Sequence, residues 1–192
     1  MTTSQSAVLL VNLGSPDAPD EDSVRRYLNQ FLMDPLVIQL PWPLRRLIVS
    51  LFVLPKRPKD SAHAYQSVWL PEGSPLIVLS RKLQQALQEK LSQPVEMAMR
   101  YGKPSIESAL IKLAENPAVS EVDFVPLYPH FADSTVQTSI DEAERAIKAH
   151  NLPIKLNVQP VFFQHPDYIE ALVSSTQDAL AGDYDHLLFS YH

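Results

Sequence analysis

Apolar positions along the chain follow two rhythms. Residues 7–13 form a short continuous apolar run, closed by Asn12-Leu13-Gly14-Ser15-Pro16, a strong turn signal. Residues 95–101, 122–127, 154–158 and 186–191 are further short runs, and each predicts a strand. Between them the spacing is helical. Leu76, Leu79, Leu83, Leu87 and Leu91 step by three or four after Ser74-Pro75, a cap followed by a first-turn proline. Ile106, Leu110 and Leu113 repeat the pattern after Lys103-Pro104-Ser105, as do Val136, Ile140, Ala143 and Ile147 after Asp133-Ser134. Ile169, Val173, Thr176 and Leu180 do the same after His165-Pro166. Strands alternating with helices of this length predict βαβ units and an α/β fold with a mostly parallel sheet.

The stretch from residue 21 to residue 69 breaks that alternation with about three helical segments, far more than a crossover needs. Insertions of this kind build a lid or a binding wall. Within it Leu44, Leu47, Ile48, Leu51 and Phe52 make one apolar face, and Val49, Val53 and Leu54 widen it beyond a single stripe. Arg45-Arg46 and Lys56-Arg57 flank the helix. Its apolar surplus suits a flat hydrophobic ligand or a membrane surface, and a core helix with snorkelling basic edges accounts for the same pattern. Asn151-Leu152-Pro153 offers a boundary, giving a first unit over 1–152 and the start of a second α/β unit over 153–192. The chain stops on His192, at the carboxyl end of the last expected strand. Domains rarely end there, because the strand needs a neighbour and the sheet needs covering helices. The expectation is a longer enzyme, truncated here at one of its active-site residues.

Composition narrows the function. A net charge of -6 argues against nucleic acid, whose binders carry a basic face. With no cysteine in the chain, disulfides, thiolate zinc sites and cysteine-ligated iron–sulfur clusters are excluded within it, which fits a reducing cytoplasm. Residues 1–6 show no cationic region leading into an apolar core, and no apolar run reaches the roughly 18 residues of a membrane span. The first strand–helix turn carries one glycine, Gly14, so neither a dinucleotide fingerprint nor a P-loop is present, and on its own Gly14-Ser15-Pro16 is a tight turn. Arg57 offers a fork for a carboxylate and Tyr65 and Ser74 single hydroxyls, though scattered residues of these types are mostly surface. His192 differs from the other histidines by its place beyond a strand's carboxyl end, where ligands of open parallel sheets sit.

In this order the pieces resemble the ferrochelatases, which insert ferrous iron into protoporphyrin. The resemblance rests on Val11-Asn12-Leu13-Gly14-Ser15-Pro16, Arg26-Tyr27-Leu28 with Phe31-Leu32-Met33-Asp34, and Tyr65 to Trp69 leading into Gly73-Ser74-Pro75-Leu76. It continues through Arg100-Tyr101-Gly102, Pro126-Leu127-Tyr128-Pro129, Ser134-Thr135 and Leu188-Phe189-Ser190-Tyr191-His192. It runs along essentially the whole chain and is strongest to the bacterial, cytoplasmic branch.

The resemblance implies two Rossmann-like, chelatase-type α/β domains with a porphyrin cleft between them. The helical insertion over about 21–72 would form the cleft lip, its apolar stretch opening at Leu36 and closing at Leu54. It further implies iron insertion into protoporphyrin IX in haem biosynthesis, with His192 as proton acceptor and metal ligand at the porphyrin centre. Leu13 would lie on the other face of the macrocycle, and Arg57, Tyr65, Ser74 and Tyr128 would line the cleft or meet the porphyrin's carboxylates and edge. The implied partners are protoporphyrin IX and ferrous iron, the iron being substrate rather than cofactor, with peripheral membrane contact through the lip. The chain departs from the family at His130, where Gln is usual, and at Phe131-Ala132-Asp133, where some members carry a cluster cysteine; no iron–sulfur ligand is available here. The family's catalytic glutamate lies in the half that this chain lacks. Two other readings remain: a cobalt or nickel chelatase for another tetrapyrrole, whose members lack the long insertion between Leu13 and Gly73, and a non-catalytic porphyrin-binding module.

Overall fold

The computed structural model describes residues 5–182, 184–186 and 188. Four strands form one parallel sheet: β1 (Gln5–Gly14), β2 (Val95–Tyr101), β3 (Val119–Pro126) and β4 (Lys155–Val158), in the order β2-β1-β3-β4. β1 is central, which explains its continuous apolar run: Ala7, Leu9 and Val11 face one side and Leu10 the other. On the first side α5 (Ile106–Ala114) and α6 (Thr138–Ala149) pack Leu110, Leu113, Ala143 and Ala146 over Leu9, Val122 and Phe124. On the second side α4 (Pro75–Gln88) covers Leu10, Val95, Met97 and Met99.

The helical rhythm set the elements correctly and one packing face only approximately. α4 turns Leu76, Ile77 and Leu87 to the sheet, joined by Leu91 just beyond its end, and leaves Leu79 and Leu83 exposed at the face's edge. A leucine row spans more of a helix than one sheet face can cover, so its flank stays wet. The expected boundary after Leu152 is not where the sheet ends: Glu121 to Phe124 of β3 pair in register with Lys155 to Val158, so β4 extends the first sheet. Asn151, at φ 48, is a left-handed helix stop, and the following Pro153 reinforces it. The turn signal therefore marks a tight helix–strand connection. The strand expected over 186–191 falls mostly on positions outside the described residues, as does His192.

The insertion contains α1 (Glu21–Leu32), α2 (Trp42–Ile48) running on through a wider turn over Val49–Val53, and α3 (Arg57–Val68). In that wider turn the Leu54 amide donates to the Val49 carbonyl, one residue further than an α-helix reaches. Arg45, expected at a snorkelling edge, is buried instead and donates to the Ile38 and Leu40 carbonyls. Arg25 reaches the Leu54 carbonyl and Arg46 the Asn29 side chain, tying α2 to α1.

Candidate functional site

The strand order has a switch point. From β1 the chain crosses to β2 on one side and then to β3 on the other, so the connections diverge above the carboxyl ends of β1 and β3. Open parallel sheets bind ligands in the crevice at that point. Leu13 and Tyr128 stand there. Leu13 is half-buried near the end of β1, its amide held by the Asn12 side chain at 2.8 Å. Tyr128 follows β3, whose end is locked to β1 by the Leu127 amide donating to the Val11 carbonyl.

Gly14 shapes this edge. Its φ is 108°, and a Cβ there would lie 1.7 Å from the Tyr101 carbonyl oxygen, so only glycine lets β1 and β2 stay paired at their ends. The Gly14 carbonyl accepts the Tyr27 hydroxyl at 3.2 Å. Tyr27 in turn packs edge-on against Tyr65, which packs edge-on against Trp69, so α3 is referenced to the strand end through aromatic contacts. Burial pushes the Tyr65 phenol above its ordinary value, with Tyr27 opposing. Burial likewise pushes Tyr128 up to about 12, and its hydroxyl, close to Ser139, has no hydrogen-bond partner of normal geometry among the described residues. Both phenols are therefore neutral donors at physiological pH.

Two small adjoining cavities, of about 280 and 200 Å³, share Ser15, Pro16, Asp17 and Lys103. One extends to Arg26 and the other to Trp69, Ser74 and Arg81. Ser74 sits at the cap position of α4 as its sequence predicts, but its buried side chain makes no capping bond. The Ser15 hydroxyl is buried without a partner among the described residues. Unsatisfied buried hydroxyls and neutral phenols beside an apolar strand end suit a ligand with an apolar body and a polar edge. Arg57 stands apart: it opens α3, exposed, and its side chain makes no ion pair or hydrogen bond among the described residues. The structure thus sets Leu13, Tyr65 and Ser74 about the end of β1 and Tyr128 beyond the neighbouring end of β3, and leaves Arg57 exposed at the start of α3.

Beneath them lies a network that the sequence did not assign. Asp34 accepts from Arg100 at 2.6 Å, from the Tyr101 hydroxyl at 2.9 Å and from the Thr138 hydroxyl, and from the Leu36 amide at 2.8 Å. Arg100 also donates to Thr138. Burial would raise the Asp34 carboxyl, but the bonds from Thr138, Leu36 and Tyr101 and the charge of Arg100 outweigh it and hold the group below the usual carboxylate value. This carboxylate pins the loop that follows α1 to β2 and α6. The available signal was the pair of motifs Phe31-Leu32-Met33-Asp34 and Arg100-Tyr101-Gly102, of opposite charge and each without a local partner.

The ferrochelatase family model matches residues 5–192. The chain belongs to the ferrochelatase family. It is 56% identical over 189 residues to a ferrochelatase of Stutzerimonas stutzeri, covering 98% of this chain and 55% of that protein. It is 58% identical over 187 residues to one from Azotobacter vinelandii, and 57% over 187 to one from Pseudomonas fluorescens biotype C, covering 97% of this chain and 55% and 54% of those proteins. This ferrochelatase-family chain therefore spans about half the length of the curated relatives it matches. Its four-stranded parallel sheet with flanking helices is consistent with the chelatase-type α/β fold of that family.

Proposed function

We propose that this chain supplies one wall of a ferrochelatase active site, in a protein that inserts ferrous iron into protoporphyrin IX in haem biosynthesis. The observation that carries the reading is the switch point between β1 and β3. It puts Leu13 and Tyr128 at adjacent strand ends, with Ser74 and Tyr65 referenced to the same edge. A porphyrin has two apolar faces and a carboxylate edge. Leu13 offers an apolar contact, while the Tyr65, Ser74 and Tyr128 hydroxyls and the free Arg57 guanidinium offer donors to carboxylates. Metallation removes two pyrrole protons and delivers a desolvated divalent ion, and a planar ring hides its nitrogen lone pairs. Binding energy from the faces and edge can hold the ring bent, which favours the strained state over the relaxed one. His192 is assigned the base and metal-ligand roles, since a neutral imidazole suits borderline metals such as ferrous iron. Protonating it repels the metal, so activity is expected to fall toward pH 5. The proposed reaction needs no resident cofactor, and iron is its substrate.

The lip supports a second element of this reading, peripheral contact of a cytoplasmic protein with a membrane surface. Trp42, Leu47, Leu51 and Phe52 are more than half exposed, with Arg46, Lys56 and Arg57 beside them. Apolar side chains flanked by cations suit an interface with anionic lipid. Among the described residues no helix is long and apolar enough to cross a membrane. The test of the activity is metallation by the full-length gene product, followed by absorbance, with ferrous or zinc ion and protoporphyrin set against cobalt or nickel and earlier tetrapyrroles. Turnover with protoporphyrin alone supports the reading. Turnover only with cobalt or nickel overturns it in favour of another chelatase, and binding without turnover favours a porphyrin-binding module.

A further inference from the structure

The two small cavities beyond β1 meet at Ser15 and Lys103, and the one that reaches α4 is bordered by three sets of unmet donors. The first is the opening of α4 itself. Ser74 stands at the cap position without bonding the helix, and Pro75 has no amide to offer. The Leu76 and Ile77 amides therefore open the helix with no acceptor among the described residues. Gly73 and Ile77 line the cavity there, and a Cβ at Gly73 would meet nothing within 4 Å, so the approach is open. The second is the Ser15 hydroxyl. The residue is 5% exposed and lines both cavities, and its hydroxyl has no partner among the described residues. A buried hydroxyl left unpaired is costly, and this one can turn to suit an acceptor. The third is a pair of exposed cations, Arg81 and Lys103, with no ion pair or hydrogen bond among the described residues. Two exposed carboxylates, Asp17 and Glu72, share the wall. Asp17 lies 3.8 Å from Arg26, so Arg81 and Lys103 against Glu72 leave the wall positive.

We propose that this cavity is an oxyanion site, in which the Leu76 and Ile77 amides, the Ser15 hydroxyl and the Arg81 and Lys103 side chains hold one carboxylate or phosphate group. A helix N-terminus supplies oriented donors and favours negative charge, and unpaired cations add charge-assisted bonds. A volume of about 200 Å³ takes one such group and not a whole macrocycle. The group is therefore the edge of a larger ligand or a small free ion. As the edge of a ligand it is a porphyrin carboxylate, the macrocycle lying toward Leu13; as a free ion it is inorganic phosphate. The first source rests on the proposed function and adds Ser15, Arg81 and Lys103 to Ser74 as determinants of carboxylate recognition. The second stands without it.

The test compares the full-length gene product with the double variant Arg81→Gln, Lys103→Gln and with Ser15→Ala. Inorganic phosphate is titrated by calorimetry, and protoporphyrin IX and its uncharged dimethyl ester by fluorescence. Arg81 and Lys103 are exposed and unpaired among the described residues, so replacing them leaves the fold intact. The double variant is expected to lose about 10-fold in affinity for phosphate, for protoporphyrin or for both, and Ser15→Ala about 3-fold for the same ligand. Ester binding is expected to be unchanged. A loss for protoporphyrin and not for its ester assigns the pocket to a porphyrin carboxylate, and a loss for phosphate alone assigns it to the free ion. Unchanged affinity for both ligands in the double variant overturns the proposal. Equal losses for acid and ester overturn it too, as does a loss in the double variant that Ser15→Ala does not share, which marks surface charge without a built pocket. If the parent binds no porphyrin, the chelatase reading fails while the phosphate titration still decides the pocket: phosphate bound by the parent and lost in the variants supports it, and no bound phosphate overturns it.

Discussion

Asp34 accepts side-chain hydrogen bonds from groups 66, 67 and 104 residues away in sequence, and its side chain is 2% exposed against 16% for Arg100. Removing one partner of such a pair leaves the other charge buried and uncompensated. Asp34→Ala in the full-length protein is expected to cost about 3–5 kcal/mol, read from urea unfolding. Because the folded carboxyl lies below its unfolded value, its contribution is present above about pH 4 and is lost as pH falls through the folded value. Asp34→Asn should therefore flatten the acid limb of the stability curve. Tyr128 works the other way. Its hydroxyl is buried unpaired, so Tyr128→Phe should be neutral or stabilising by about 1 kcal/mol while weakening porphyrin binding. Its raised phenol favours the fold below pH 10 and loses that effect as pH rises toward about 12, so the Phe variant should lose less stability across that window. A large loss of stability in Tyr128→Phe would place the hydroxyl in a structural bond instead. At this scale the sequence showed which residues were unusual, but not which met. Asp34 and Arg100 stood out as motif residues, and no spacing rule links positions so far apart.

At the level of elements, local chemistry was legible wherever it is local. The runs at 7–13 and 95–101 became β1 and β2, and Ser105 caps α5 by accepting from the Ser108 amide. Local reading left two outcomes open where a signal has two meanings. Asn151 and Pro153 mark a helix stop whether the chain then enters a new domain or returns to the same sheet, and only pairing with β3 distinguishes them. The helix α2 and its wider last turn were legible as over-apolar. The exposed Phe52, at 69%, and Leu51, at 61%, contribute little to the core. The double variant Leu51→Ser, Phe52→Ser should leave the melting temperature within a few degrees while sharply reducing sedimentation with anionic vesicles. Unchanged sedimentation would remove the membrane role from the lip.

For the molecule as a whole, the described structure leaves half of one sheet face and the apolar stripe of α7 (Pro166–Leu180) uncovered. Residues 1–192 produced alone should bind a hydrophobic dye and melt broadly, whereas the full-length protein melts cooperatively and binds little. A sharp melt of residues 1–192 without dye binding would show that this surface needs no cover. The fold class was legible from the alternation of periods. The uncovered part of the sheet face was not, because cover is a tertiary property with no period of its own. The most direct test of the central claim is the rate of zinc insertion into protoporphyrin by the full-length gene product beside its His192→Ala variant, with porphyrin affinity measured in both. The proposed base and ligand role predicts a loss of about 10²–10⁴-fold in kcat with porphyrin still bound. Equal turnover in the two proteins would contradict it.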